Sequence, residues 1–516
     1  MGKLLPQFKK SVIDDIVSSI TANTATYYGF AGNPISYSGN TPAVTSDDFS
    51  STFTNDWQML FGKKLANTDI LPIINKIFWT TNTVYTRYDN TLDLSNSSFY
   101  VVTQPAVSGG TYNIYKCIDN ANGSPSTQIP DQIQASSFTK SDGYTWRYIT
   151  SISNFDYGRL ATDNFIPVYP NTTIQSSAYN YSGVEVVNIV NGGNGYNCWA
   201  SGNVQGGNST VVQIQSTASV SQNFYTNNAI YLYNSTIGSQ LRNITNYIAN
   251  SSGNFVYVDT PITTSNSQST YYISPRVVFQ TDGVADPQAY SVINSVGNTI
   301  SSIVIVDTGY GISWANVTIQ SNTSYGSGAK VYAIVPPAGG HGANPANELN
   351  VQGMGFSFNF ANTESNTIPQ TVTYNKIGII KNPYEIDGNT GLKTATLYAG
   401  NTFTSFITAN VSPSTTFTVG DQVTGAISGA VGTVAFSNGS VIYITGDKYF
   451  ANGAGEMITN ANGSVSANIV INTSNSTYDF RGSIYTKDIV PLYIQNINNV
   501  NRSSGRVESF KLIVQI

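Results

Sequence analysis

Apolar and polar positions change period several times along the chain. Over residues 6–20, Phe8, Val12, Ile13, Ile16, Val17 and Ile20 recur at helical spacing with Pro6 in the first turn, predicting a helix whose apolar stripe needs a partner surface. Residues 46–62 predict a second helix, capped by Asp47 and Asp48, with Phe53, Trp57, Leu60 and Phe61 as its apolar face and Gly62 at its end. Residues 70–79 are strongly apolar and expected to be buried, and residues 85–89 form a polar-aromatic segment. From there strands dominate, at residues 99–102, 112–118 and 165–168. The stretch Tyr112-Asn113-Ile114-Tyr115-Lys116-Cys117-Ile118 is apolar on both parities, as expected for a strand covered on both faces. In residues 144–150, Tyr144, Trp146 and Tyr148 alternate with Thr145, Arg147 and Ile149, so three rings are expected to line one sheet face. Asp142-Gly143 supplies a turn ahead of that strand, and Pro125 and Pro130 break the region between the two.

Beyond residue 180 the chain repeats itself. A strand over residues 184–190 runs into Asn191-Gly192-Gly193-Asn194-Gly195-Tyr196, followed by Trp199. A second copy runs from residue 303 into Asp307-Thr308-Gly309-Tyr310-Gly311, followed by Trp314. Ile189 matches Ile305, Gly193 matches Gly309 and Gly195 matches Gly311, while the tryptophans slip by one; this is a duplicated strand–turn–aromatic unit whose glycines permit positive φ. Between the copies, residues 229–233, 255–258, 271–273 and 277–279 predict short strands of a sandwich or small barrel. Further strands are expected at 351–360 and 370–380. Within 396–479, the segment at Phe417 and Gly420 is echoed at Phe450 and Gly453, a repeat of β-hairpin type. The strands expected at 489–494 and 510–516 close the chain, and a terminal strand must pair with an earlier one to stay ordered.

The expected fold is therefore mainly β: sandwich- or barrel-like modules plus a small α+β domain built from the N- and C-terminal parts. The expected division is 1–95 as the first part of that discontinuous domain and 96–179 as a β domain. Residues 180–345 form an insert, 346–395 return to the discontinuous domain, 396–479 form a second insert and 480–516 complete the core.

Several short motifs occur in a telling order: Trp57, Ile70-Leu71-Pro72, Tyr85-Thr86-Arg87-Tyr88-Asp89, then Tyr115-Lys116-Cys117-Ile118-Asp119-Asn120 and Ser141-Asp142-Gly143-Tyr144-Thr145-Trp146-Arg147-Tyr148-Ile149. Ile380-Lys381-Asn382-Pro383 and the closing stretch 507–516 follow. In this order they resemble the baseplate wedge subunits of contractile-tailed (T-even-like) bacteriophages, the dimeric wedge protein numbered eight. The motifs are short and degenerate, and the resemblance covers roughly residues 1–170 and the last stretches of the chain; the middle has no counterpart and reads as inserted. The resemblance implies a virion protein of the tail baseplate, assembled in the host bacterial cytoplasm. It implies a homodimer in each wedge of a six-fold baseplate, touching the wedge proteins numbered six, seven and ten; the inserts are the departure from the family and are expected to face outward and bind tail fibre proteins or neighbouring wedges. It also implies a role without catalysis, in which the subunit holds its neighbours before contraction and moves with them as a rigid body.

Composition narrows the remaining choices. Charged residues are 10% of the chain, against about 25% in an ordinary soluble domain, while aromatics are 12% with 34 tyrosines. The net charge of −5 and the lack of a basic cluster argue against a nucleic-acid partner. No run approaches the length of a membrane span, and residues 1–20 lack the apolar core of a signal peptide. Cys117 and Cys198 have no metal spacing and are expected to be reduced and buried. One histidine cannot supply a multi-histidine metal site, and the Gly-rich turns lack the following helix of a nucleotide fingerprint. No carboxylate pair, Gly-x-Ser-x-Gly elbow or phosphate loop stands out, so no catalytic residue, metal ligand or cofactor is expected, and the chain does not read as an enzyme.

The candidate interface residues are Trp57, Arg87, Asp89, Trp146 and His341. Arg87 and Asp89 read either as an interface ion pair or, the favoured reading, as a surface pair worth little. His341 lies in the Gly/Pro loop 336–349, where its imidazole is expected to bond backbone groups, with close backbone packing at a subunit contact. The alternative function is a tail-associated carbohydrate-binding (host receptor) protein, with Tyr and Trp rings of the inserts stacking on sugars.

Overall fold

The structure is a computed structural model. It describes residues 4–516 apart from 38, 40–41, 43, 46–57, 264–268, 321–324, 363, 365–367, 370, 388–391, 447–449, 451–454, 471–481 and 504. The chain is mainly β and divides into two compact units. One consists of Met1–Pro72 and Gln352–Ile516, the other of Ile73–Val351. The changeovers therefore fall at residues 72 and 352, where the sequence reading puts them at 95 and 346.

In the first unit, the expected N-terminal helix spans Pro6–Thr21; Ile13 of its stripe is buried, while Phe8 stays 55% exposed. The second expected helix does not continue through its C-terminal end: Met59–Lys64 is a strand, and residues 46–57 lie outside the described residues. Leu60 and Phe61 are both buried there although successive side chains of a strand point to opposite faces; Phe61 packs edge-on against Phe360 and Tyr374. Its five-stranded sheet has the order Thr402–Thr404, Met59–Lys64, Tyr27–Gly32, Thr373–Lys381, Val490–Asn501. The closing strand Glu508–Gln515 pairs antiparallel with Gly353–Phe360, setting Phe510 opposite Phe358 with their rings stacked at 5.2 Å. Beside that strand, Arg502 and Glu508 form a buried pair at 2.9 Å, and Arg502 also donates to the carbonyls of Pro369, Ala361 and Asn362.

The 33-residue echo at Phe417 and Phe450 marks two hairpins. Gln422–Gly425 pairs with Val431–Ser437, and Met457–Asn460 pairs with Ser466–Val470. Together with Phe406–Thr415 and Gly439–Gly446 they close a six-stranded barrel. Both echoed phenylalanines lie in its core with Val423, Val434, Ile444 and Ile458.

The second unit contains a four-stranded antiparallel sheet in the order Tyr100–Thr103, Tyr112–Asn120, Tyr144–Ile152, Phe138–Thr139. The three expected rings line one face: Tyr144, Trp146 and Tyr148 are all buried with Tyr85, Tyr115 and Cys117. A larger ten-stranded sheet follows. Its strand Thr270–Thr281 runs unbroken through Pro275, where the sequence reading has two short strands. Pro275 is tolerated because it faces only Asn228, the first residue of the neighbouring strand Asn228–Asn234, at the end of their ladder. The duplicated turns adopt matching backbones: φ is +64° and +72° at Gly193 and Gly195, and +65° and +74° at Gly309 and Gly311. A Cβ at Gly309 would also meet the Ala285 carbonyl oxygen at 2.3 Å, so the glycine is required by conformation and by space.

Candidate functional site

The second unit buries a cluster of ionisable side chains on the four-stranded sheet, opposite its aromatic face. Lys116 and Arg147 are direct cross-strand neighbours on Tyr112–Asn120 and Tyr144–Ile152. Like charges so placed destabilise a sheet unless acids intervene, and two do. Lys116 Nζ donates to Glu348 Oε1 at 2.9 Å, and Arg147 donates to Glu185 Oε1 at 2.9 Å. Arg147 also reaches the Tyr181 carbonyl at 3.2 Å, and Ser137 Oγ donates to Glu185 Oε1 at 2.6 Å. Tyr88 covers Lys116, with Nζ 3.2 Å from the ring centroid, a cation–π contact.

Glu348 ends the short helix Pro345–Glu348, whose N-cap Asn344 accepts from the Asn347 N–H. The preceding loop is held tightly: φ is positive at Gly339, Gly340 and Gly342, and a Cβ at Gly340 would meet the Ala178 carbonyl oxygen at 2.2 Å. This brings the Gly342 N–H to Glu348 Oε2 at 2.7 Å and His341 Nδ1 to Glu348 Oε1 at 2.7 Å. The second contact, the shorter of the two at this nitrogen, assigns the proton to Nδ1, because an ionised carboxylate only accepts; Lys116 Nζ, 3.2 Å from Nδ1, is then held by Glu348 and not by the ring. Nε2 is then bare and faces Glu185 Oε2 at 3.8 Å.

Burial opposes ionisation of Glu348, yet Lys116, the His341 N–H and the Gly342 N–H outweigh it and bring its carboxyl down to about 2. Burial pushes the Lys116 ammonium down to about 8, with Glu348 pulling the other way. Burial, followed by the Lys116 charge, lowers the pKa of His341 and keeps it neutral. The cluster thus carries two cations, two anions and a neutral imidazole. The space beside His341 and Glu185 is about 10 Å³, room for about one water and no substrate.

Several expected placements need correction. Trp57 lies outside the described residues. Trp146 is fully buried in the aromatic core and His341 is 3% exposed, so both are interior residues of their unit. The imidazole bonds the Glu348 side chain, not backbone, and Gly340 and Gly342 pack on Ala178 and Ile174 of the same unit. Arg87 and Asp89 form no ion pair. Arg87 donates to Asn188 Oδ1 at 3.0 Å, while the buried Asp89 accepts from Tyr332 and from Thr91. Burial opposes ionisation of Asp89, but the hydrogen bonds from Tyr332 and Thr91, helped by the nearby Arg87 charge, hold it below the usual carboxylate range. Lys116, Glu185 and Glu348 carry the cluster without having stood out in the sequence. The available signal was Lys116 itself, a charge inside a strand apolar on both parities, which demands a buried partner.

A second concave feature lies in the same unit, a groove of about 330 Å³ beside Trp314. Trp314 is 55% exposed, and Asn90, Thr91, Ser313, Tyr332 and Val335 share the lining. Asp282 fixes the tryptophan's backbone, accepting from the N–H groups of Ser313 and Trp314, each at 2.9 Å, and from the Ser313 hydroxyl. Those hydrogen bonds, the Ser313 hydroxyl first, hold the Asp282 carboxyl at about 2. No protein-family model matches the chain, and no curated protein sequence matches it.

Proposed function

We propose that the chain is a structural subunit of a phage tail baseplate wedge, linking neighbouring wedge proteins and moving with them during contraction, without catalysis of its own. The observation that carries this reading is the state of its reactive groups. The buried cluster of Lys116, Arg147, Glu185, His341 and Glu348 is neutralised within itself and leaves space for about one water. Such a cluster braces a fold; general acid–base work needs a group within reach of a substrate proton. The ordered motifs from Tyr85 to Ile149 supply the specific assignment by resemblance, and a chain with only 10% charged residues suits protein contacts.

Quantitative mass analysis and cross-linking of isolated virions test it. A homodimer in each wedge of a six-fold baseplate gives about twelve copies per particle, cross-linked to other wedge proteins. A copy number of three or a multiple tied to fibres, or cross-links to fibres alone, overturns the assignment. A second reading, a tail-associated carbohydrate-binding protein, is favoured by one observation, the Trp314 groove with its uncharged lining.

A further inference from the structure

We propose that the groove beside Trp314 is a binding site for a neutral saccharide, with the Trp314 ring stacking on the C–H face of a pyranose. This rests on the second reading above and gives it a residue-level site; it is independent of the wedge assignment.

Four features point the same way. First, a large ring is presented to solvent at the edge of a concave surface. Trp314 is 55% exposed, while the groove floor beside it is made by Ala315, Ala333 and Val335. An amphipathic ligand with one apolar face fits that arrangement, and a fully charged one does not.

Second, the polar rim offers uncharged groups with hydrogen-bonding capacity to spare. Asn90 Oδ1 accepts from the Val335 N–H, which leaves its amide N–H groups to donate. The Thr91 hydroxyl donates to Asp89 and the Ser313 hydroxyl donates to Asp282, so each keeps lone pairs for a ligand hydroxyl. Sugar hydroxyls both donate and accept, and this rim meets them with one donor and two acceptors.

Third, the site is set in advance. Asp282 ties down the backbone of Ser313 and Trp314, and Asp89 ties Thr91 to Tyr332, whose hydroxyl also accepts from Asn188 at 2.7 Å. A rim already fixed pays little ordering entropy on binding.

Fourth, the charge pattern selects among sugars. None of the lining residues is ionisable apart from the Tyr332 phenol, whose proton is committed to Asp89. The two carboxylates behind the rim, Asp89 and Asp282, make the site repel sialic acid, uronic acids and phosphate. The volume of about 330 Å³ is at the lower end for small-molecule sites and suits one or two sugar rings.

The test uses the full-length protein on a glycan array carrying neutral and acidic glycans, followed by calorimetric titration of the bound classes. Wild type, Trp314→Ala, Trp314→Phe and Asn90→Ala are compared, with thermal melting as the folding control, since Trp314 is half exposed. The expected result is binding to neutral hexose-containing glycans and not to sialylated or sulfated ones. Trp314→Ala weakens that binding by at least about tenfold, Trp314→Phe retains part of it, and Asn90→Ala loses several-fold, all with unchanged melting. Binding that survives Trp314→Ala refutes this site while leaving carbohydrate binding elsewhere on the protein standing. No glycan bound above the level of an unrelated protein, or binding to acidic glycans alone, overturns both the site and the carbohydrate reading.

Discussion

Replacing Glu348 by Gln tests whether the buried cluster is balanced as described. The amide keeps the shape of the side chain and can still accept from the Gly342 N–H, but it removes the charge 2.9 Å from Lys116 Nζ. Lys116 and Glu348 side chains are 0% and 1% exposed, so solvent cannot take over the role. Removing one partner of a buried pair costs about 3–5 kcal/mol. An independent ceiling comes from the lysine itself: shedding its proton at pH 7 from an ordinary value of 10.5 costs about 5 kcal/mol. For a unit of this size each kcal/mol lowers the melting temperature by about 2–3 °C, so a drop of roughly 6–15 °C is expected. Tryptophan fluorescence is a suitable probe, because Trp79, Trp146, Trp199 and Trp314 fall within the Ile73–Val351 unit. The pH dependence has a definite sign. Glu348 has a folded value of about 2 against an ordinary 4.5, so its contribution is fully present above pH 4.5 and is lost as pH falls toward 2. That acid-side loss amounts to about 3 kcal/mol in the wild type and is absent in E348Q. Adding Lys116→Met to E348Q should recover most of the stability, because the stranded charge is then gone. A loss below about 0.5 kcal/mol for E348Q, within the range of ordinary surface substitutions, would refute the reasoning, as would a double variant no more stable than E348Q.

Other expectations concern single features. Gly309→Ala forces a Cβ to 2.3 Å from the Ala285 carbonyl oxygen at φ +65°, so it should cost about 1–2 kcal/mol from the conformation alone and more from the clash, read as a lower urea midpoint. Arg502→Met strands buried Glu508 and three carbonyl acceptors, and should cost about 3–5 kcal/mol and raise hydrogen exchange along Glu508–Gln515. Both cysteines are free and buried; burial pushes the Cys198 thiol up to about 12 and the Cys117 thiol higher still. Neither should react with a thiol reagent in the native protein at pH 8, and both should react on denaturation; reaction of Cys117 in the native state would contradict the packing of the aromatic face.

Local patterns in the sequence carried the β class, the N-terminal helix and the ring-lined face of Tyr144–Ile152, because each depends on side-chain period within one element. The duplicated glycines were legible for the same reason, since a positive φ leaves its mark in a single residue type. Leu60 and Phe61 misled: their spacing with Phe53 and Trp57 fits a helix, but a strand covered on both faces also shows consecutive apolar residues, and periodicity alone does not separate the two. The charged cluster escaped because its members are brought together from a distance. Lys116 meets Glu348 across 232 positions and His341 across 225. Asp89 and Arg87 looked like a pair because they are two residues apart, yet each finds its partner far along the chain, in Tyr332 and Asn188.

A chain with so few charges has a specific reason to bury some of them. Tyr112–Asn120 has buried residues on both its faces, from Ile114 through Ile118, and so lacks the alternation that normally sets strand register. A slip by one residue against Tyr144–Ile152 would exchange one apolar set for another at small cost, were it not for Lys116. The slip would carry its ammonium toward the Trp146 and Cys117 face, away from Glu348, and leave it buried without a partner. Arg147 imposes the same constraint from the neighbouring strand through Glu185. Buried ion pairs add little stability compared with apolar replacements, but they make wrong pairings expensive. The double variant Lys116→Met, Glu348→Gln should therefore regain stability without regaining uniqueness. Its amide spectrum should show doubled signals in Tyr112–Asn120 under conditions where the wild type shows one set, and a single sharp set would mean that the aromatic face together with the remaining Arg147–Glu185 pair fixes the register.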